Sequence, residues 1–450
     1  MKKKFLKYVI PSVLAMWIYS IYTMINGIFV AKGVGEIALA AVNISMPFAN
    51  ATFAVAILFA VGTSTIASIH LGNKEAKESK KASEVFTMNM VVLISICITI
   101  TVIVLLNLER IAYFLGATET TLGFVKQYLG IAALLSVFSM ISYYFEVLVK
   151  TGGYPQLATI VVCITAVTNI FLDYVFVIKL DFGVKGAAFA TGIAQMLACS
   201  IYVLHFIKRN SKIKFAKFKF DLTTIKRTIP IGASDFVTEF SAGFIIFMFN
   251  RIILKNIGET GIITYTVIMY VNNIVLMTMS GISQGTQPLV SYYYGREDKK
   301  AYTFFLKSAV KTAAILALGI YVICMLFAEQ INGIFISRNE IEIFNYSVKA
   351  FRIYVPAYLI VGFNIVLIGF YSSIEKPMYS MILSLGRGLV VIVTSLFIMS
   401  TMFGENGIWI SSFVSEAICF IIGSIIFVKF FFNDLFVKAK ANHTVAENYE

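Results

Sequence analysis

Apolar positions in this chain run together instead of alternating with polar ones. Residues 91–106 read VVLISICITITVIVLL, and residues 417–432 read AICFIIGSIIFVKFFF. A helix needs ~20 mostly apolar residues to cross the ~30 Å hydrocarbon core of a bilayer. Twelve stretches meet that need, at 5–30, 44–70, 84–107, 122–148, 155–178, 184–207, 229–254, 261–287, 302–328, 345–372, 377–400 and 406–432. Barrel strands are alternating segments of ~10 residues, and these runs are too long and too uniform for that. The pattern predicts an all-α integral membrane protein with twelve transmembrane helices. Lys2, Lys3 and Lys4 ahead of the first run resemble the start of a signal peptide. That run is long, contains Asn26 and Gly27 and has no small-residue cleavage site, so it reads as a retained first helix.

Composition agrees. Of 450 residues, 59% are hydrophobic and only 14% charged, against roughly a quarter charged in soluble domains. The net charge of +13 is distributed as a topology signal. Lys and Arg crowd the N-terminus, the 72–82 loop (Lys74, Lys77, Lys80, Lys81), the 208–227 loop, residues 295–300 and the tail. By the positive-inside rule, both termini face the cytoplasm. The basic 208–227 loop reads as membrane-surface charge next to lipid; nucleic-acid binding is not expected. The five cysteines, Cys97, Cys163, Cys199, Cys324 and Cys419, fall inside predicted helices without zinc or redox spacing and read as packing residues.

The chain is written twice. GTSTIASIHLG at 62–72 overlays GTQPLVSYYYG at 285–295, 223 residues later. At the same offset Lys32, Gly35 and Glu36 meet Lys255, Gly258 and Glu259, and Asn50 meets Asn273. Pro155 then matches Pro377, and FGVKG at 182–186 matches FGENG at 403–407. Six helices per repeat give both halves the same orientation, related by an axis along the membrane normal. The expected organisation is an N-lobe at 1–207, a cytoplasmic linker at 208–228, a C-lobe at 229–432 and a cytoplasmic tail at 433–450. Two like-oriented bundles suggest alternating access. No P-loop occurs, so uphill transport would draw on an ion gradient. No HExxH-type cluster suggests an enzyme, and no cofactor is expected.

Ionisable groups near the bilayer centre cost roughly 2.5–3.5 kcal/mol on insertion scales and mark candidate function. Asp173 lies four residues after Asn169, on the same helical face. At ~1.5 Å per residue, Asp173, Asn26 and Thr191 reach a common depth in the outer part of the membrane. Together they form a candidate proton or Na⁺ site. In the second half Glu239, Arg387 and Glu416 lie near the midplane, with Asp235 one turn before Glu239. Either Arg387 pairs with a glutamate structurally, or a free carboxylate takes a cationic substrate or a proton; Glu416 overlays Gln195 in the repeat. Glu146 and Lys150 read as an i,i+4 pair. His70 and His205 read as interfacial.

The segments GIFVAKGVGEIALAAVNISMP (27–47), GTSTIASIHLG (62–72), TNIFLDYVFV (168–177), GVKGAAFATGIAQ (183–195) and GISQGTQPLVSYYYG (281–295) resemble the multidrug and toxic compound extrusion (MATE) family. The resemblance covers about residues 5–432 and is closest to the bacterial DinF-like and MepA-like branch. It implies two six-helix lobes forming a V, and a monomeric antiporter exporting amphipathic, mostly cationic compounds in exchange for H⁺ or Na⁺. It also implies an N-lobe cation site, carried here by Asn169, Asp173 and Thr191. The helix-1 Asp of the DinF-like members is replaced by Asn26, as in MepA-like members, which removes a charge, disfavours tight Na⁺ binding and favours protonation of Asp173. The NorM-type Asp on the tenth helix is absent, since 345–372 contains no Asp or Glu. The alternative is a lipid-linked oligosaccharide flippase of the same wider fold. It would need a basic cavity for pyrophosphate, and apart from Arg387 the helix interiors carry little basic charge.

Overall fold

A computed structural model describes residues 1–73, 75–208 and 211–447, and among them every regular element is helical. Lys74, Arg209, Asn210 and the last three residues of the expected tail lie outside the described residues. In the first half the helices are α1 (Lys2–Gly33), α2 (Glu36–Gly72), α3 (Ala76–Leu106), α4 (Leu108–Phe114), α5 (Leu122–Thr151), α6 (Pro155–Asp173) and α7 (Gly183–Ile207). In the second half they are α8 (Leu222–Asn256), α9 (Glu259–Gly295), α10 (Lys299–Leu326), α11 (Ala328–Phe335), α12 (Ile341–Tyr354), α13 (Tyr358–Ser373), α14 (Pro377–Leu385) and α15 (Val391–Glu447). Broadened π segments follow α6 (Tyr174–Lys179) and α14 (Gly386–Val390), and a 3₁₀ turn, Val355–Ala357, joins α12 to α13 into one crossing.

The last long span, Pro377–Lys429, has 53 residues. That is about 80 Å of helix, more than twice a hydrocarbon core. Gly404, at φ 57°, breaks it. Arg387 Nε reaches Glu416 Oε1 at 2.7 Å although 29 residues separate them, so the chain reverses at Gly404. The twelve crossings expected from the apolar runs are therefore present.

The repeat is visible in the backbone. Gly183 and Gly404, matched in the FGVKG and FGENG segments, have φ of 59° and 57°. L side chains rarely adopt that conformation, and glycine reaches it without a steric penalty. Pro155 and Pro377 both open a helix at its first turn, where a missing N–H costs nothing. Short helices α4 and α11, which the apolar runs did not announce, follow the third crossing of each half. Each carries a glutamate paired with a base on the next long helix: Glu109 with Lys126 at 2.7 Å and Glu329 with Arg352 at 3.4 Å.

Several boundaries differ from those read in sequence. α2 begins at Glu36 instead of 44, and α8 at Leu222 instead of 229, so the linker is shorter than 208–228. The stretch beyond 432, expected as a separate tail, continues in α15 to Glu447. Apolar runs delimit the hydrocarbon core, whereas helix hydrogen bonds continue into polar sequence. Asp221 is such a signal: its carboxylate accepts the N–H groups of Thr223 at 2.9 Å and Thr224 at 3.1 Å and caps α8.

The two lobes meet along α1, α2, α8 and α9, over the half of the molecule that bears the lysine-rich loops. The seam is built from small residues, which let membrane helices approach backbone to backbone. A Cβ on Gly281 would stand 2.7 Å from Val13 Cα, on Gly285 2.8 Å from Val9 Cα, on Gly62 2.3 Å from Thr228 O and on Gly232 1.9 Å from Leu58 O. Polar pairs stitch it further. Trp17 Nε1 donates to Thr278 Oγ1 at 2.9 Å, and Asn273 Nδ2 to Ser20 Oγ at 3.0 Å. Beyond that level Ile21, Met24 and Ile28 of α1 and Phe240, Phe244 and Phe247 of α8 are exposed. The close-packed glycine seam lies on the lysine-bearing side of these exposed residues.

Candidate functional site

The N-lobe brings the four sequence-predicted residues to one place. Asn26 comes from α1, Asn169 and Asp173 from α6, and Thr191 from α7. Thr191 Oγ1 accepts from Asn26 Nδ2 at 3.4 Å and from Asn169 Nδ2 at 3.3 Å. Asn169 is 1% exposed and Asp173 fully buried. Among the described residues, neither carboxylate oxygen of Asp173 has a hydrogen-bond partner, nor has Asn169 Oδ1. A buried ionised carboxylate without a partner is strongly unfavourable, so the pocket suits a carboxylate that carries a proton or a cation. Tyr128 of α5 lies within electrostatic reach of Asp173.

Asp173 is also the last α-helical residue before the π segment. There the backbone loosens, with Leu180 N–H donating to Val175 O and Phe182 N–H to Phe176 O, each at 2.9 Å. Single-turn π segments recur at functional positions because they shift the register of a helix locally. The loosened turn packs against α1: a Cβ on Gly33 would stand 2.5 Å from Val177 Cγ1. Asp173 thus adjoins a π turn in direct contact with the helix bearing Asn26.

The C-lobe residues divide into two groups. Glu416 is fully engaged: Oε1 accepts from Arg387 Nε at 2.7 Å and Oε2 from Asn364 Nδ2 at 2.6 Å. Asn364 also donates to the Glu416 carbonyl at 2.9 Å. Arg387 lies on the second π segment, and both partners of the pair are nearly buried. This is the structural pairing that one of the two sequence readings described. The sequence signal for Asn364 is a lone amide in the apolar run YLIVGFNIVLIGF. Asp235 meets only Ser234 Oγ, at 3.4 Å, and neither it nor Glu239 bonds to Arg387 or Glu416 among the described residues.

Asp235 and Glu239 instead face the other lobe. Their charges act on the Tyr143 hydroxyl of α5, and Glu239 also acts on Tyr19 of α1. These tyrosines belong to an aromatic wall. Tyr19 meets Tyr22 edge-on at 5.1 Å and stacks on Phe53 at 6.1 Å, and Phe53 meets Tyr143 at 4.8 Å. Behind the wall, Lys150 Nζ and Glu146 Oε1 form the i,i+4 pair at 2.7 Å, almost entirely buried. Of the two histidines, His70 pairs with Glu78 at 2.5 Å and His205 packs edge-on against Tyr154 at 4.8 Å.

Two six-helix lobes, a repeated topology and polar sites within the hydrocarbon depth define a multi-pass, two-lobed membrane protein of the transporter type. The sequence profile of the MatE family matches residues 11–175 and 237–397, and the chain belongs to that family. It is 24% identical over 431 residues to the multidrug export protein MepA of Staphylococcus saprophyticus, covering 93% of this chain and 91% of that one. The MepA of Staphylococcus aureus is 24% identical over 427 residues, with the same coverage. Among solved structures, an outward-facing multidrug resistance MATE transporter superposes with a TM-score of 0.87 at 22% identity, over 94% of both chains.

Proposed function

We propose that this protein is a multidrug efflux transporter: a secondary antiporter that exports organic, mostly cationic compounds in exchange for H⁺ across a bacterial cytoplasmic membrane, with both termini inside. Family membership and the MepA relatives support the export reading. The observation that carries the coupling is the buried, unpartnered carboxylate of Asp173 beside Asn169, Thr191 and Asn26. Its donor set holds a single negative charge, which suits a proton better than Na⁺. From the open face Asp173 takes up a proton; its neutralisation lets the π turn and α1 repack. That repacking biases the lobes toward releasing cargo outward. Return to the inward-facing state discharges the proton. Asp235 and Glu239 opposite the tyrosine wall offer both elements that attract an organic cation, fixed negative charge and aromatic faces. The test is efflux of a fluorescent cation from proteoliposomes under a pH gradient alone and then a Na⁺ gradient alone. Efflux driven only by Na⁺ would refute proton coupling, and efflux driven by neither would refute antiport.

A further inference from the structure

A second cavity lies where the lysine-rich face closes, at the far end of α1 from Asn26. It measures about 340 Å³ and takes its walls from both lobes: Lys4, Lys7 and Tyr8 of α1, Gly153 after α5, Lys212 of the linker, and Tyr292 of α9. Lys4 Nζ stands 4.8 Å above both the Tyr292 and Tyr293 rings and 3.4 Å from the Tyr293 hydroxyl. Arg296 lies over the same two rings at 5.9 Å.

Tyr292, Lys212, Arg296 and Lys7 all lie within electrostatic reach of Lys4. Two acids of that region, Glu78 and Asp298, are engaged elsewhere. Glu78 holds His70 and Lys81, each at 2.5 Å, and Asp298 caps α10 through Ala301 N–H at 2.9 Å. Gly153, at φ 101°, keeps a wall bare; a Cβ there would come within 3.9 Å of Lys212 Nζ. Lysines that only mark one side of a membrane are free to spread into water. These converge from three separate chain segments on one concave site, and like charges held together need a counter-charge.

We propose that this cavity binds a phosphate-bearing anion, held by Lys4, Lys7 and Lys212 with Arg296 at its rim. Such an anion would bridge the lobes and favour the state closed on the lysine-rich face. Its chemistry is that of an anionic phospholipid headgroup or of free phosphate.

The experiment measures the unfolding temperature of the full-length protein in phosphatidylcholine nanodiscs. Phosphatidylglycerol is titrated into the bilayer in one arm and inorganic phosphate into the buffer in the other. A saturable rise is expected in the phosphate arm if the ligand is free phosphate, and in the phosphatidylglycerol arm alone if it is a headgroup. The triple variant Lys4→Gln, Lys7→Gln, Lys212→Gln should need roughly 100-fold more ligand for the same rise, at a little over fivefold per lysine. Arginine at the same three positions should retain the rise. A control triple variant with the same charge change, Lys217→Gln, Lys219→Gln, Lys226→Gln, should behave as the unmodified protein. No saturable rise with either probe, an unchanged response in the first variant, or an equal loss in the control would overturn the proposal.

Discussion

Gly72 and Gly295 hold equivalent places in the two repeats, and each presses on the other's helix. A Cβ on Gly72 would stand 2.1 Å from Tyr292 O, and one on Gly295 would stand 2.2 Å from Ile69 O. The pseudo-twofold axis thus runs between the ends of α2 and α9, where the lobes close on the lysine-rich face.

Any side chain at these glycines must force α2 and α9 apart. Gly72→Val and Gly295→Val should each destabilise the closed seam by about 1–3 kcal/mol, the usual cost of overpacking. The expected result is a lower efflux rate, with faster thiol labelling of a cysteine placed on the seam. Unchanged labelling in both variants would mean that the contact does not hold the lobes together.

Breaking the Arg387–Glu416 pair leaves a buried charge uncompensated. Arg387→Met alone, or Glu416→Met alone, should lower stability by about 3–5 kcal/mol, whereas replacing both with Met restores most of it. Thermal unfolding in detergent measures this. Additive losses in the double variant would show that each residue has other essential partners.

Asp235 and Glu239 carry the proposed recognition of cations. Asp235→Asn and Glu239→Gln should each weaken export of a cationic dye on the order of tenfold, as expected for loss of a charge-assisted contact. Unfolding temperature should change little, because neither carboxylate is a structural partner of Arg387. Equal losses for a neutral substrate would point to a role in positioning helices instead of binding.

Much of the fold was legible in sequence because a bilayer imposes a length and a polarity on each crossing. The repeat was legible because Gly183, Gly404, Pro155 and Pro377 do backbone work that other residues cannot. The N-lobe quartet was legible from spacing and depth. Its most informative property, the absence of a partner on Asp173, depends on what other helices do not bring there, which one helix's sequence cannot show. The same holds in the C-lobe. Depth alone left open which glutamate Arg387 holds; Arg387 and Asn364 both engage Glu416, while Asp235 and Glu239 lie within electrostatic reach of Tyr143. Aromatic residues are so frequent that Tyr19, Phe53 and Tyr143 could be picked out only once α1, α2 and α5 were placed.

Asn26 joins the quartet through its hydrogen bond to Thr191. Asn26→Asp would put a second carboxylate beside Asp173 and offer a cation two negative ligands. Efflux by this variant should acquire a Na⁺ dependence that the unmodified protein lacks, read as transport under a Na⁺ gradient at equal pH on both sides. Strict dependence on the pH gradient in the variant would count against the charge argument.

The central claim is that the buried carboxylate of Asp173 couples the ion gradient to export. Its most direct test is efflux of a fluorescent cation from proteoliposomes containing Asp173→Asn, under an imposed pH gradient. The account predicts that pH-driven efflux is abolished while the protein stays folded and still binds the dye. Efflux at the unmodified rate in that variant would contradict it.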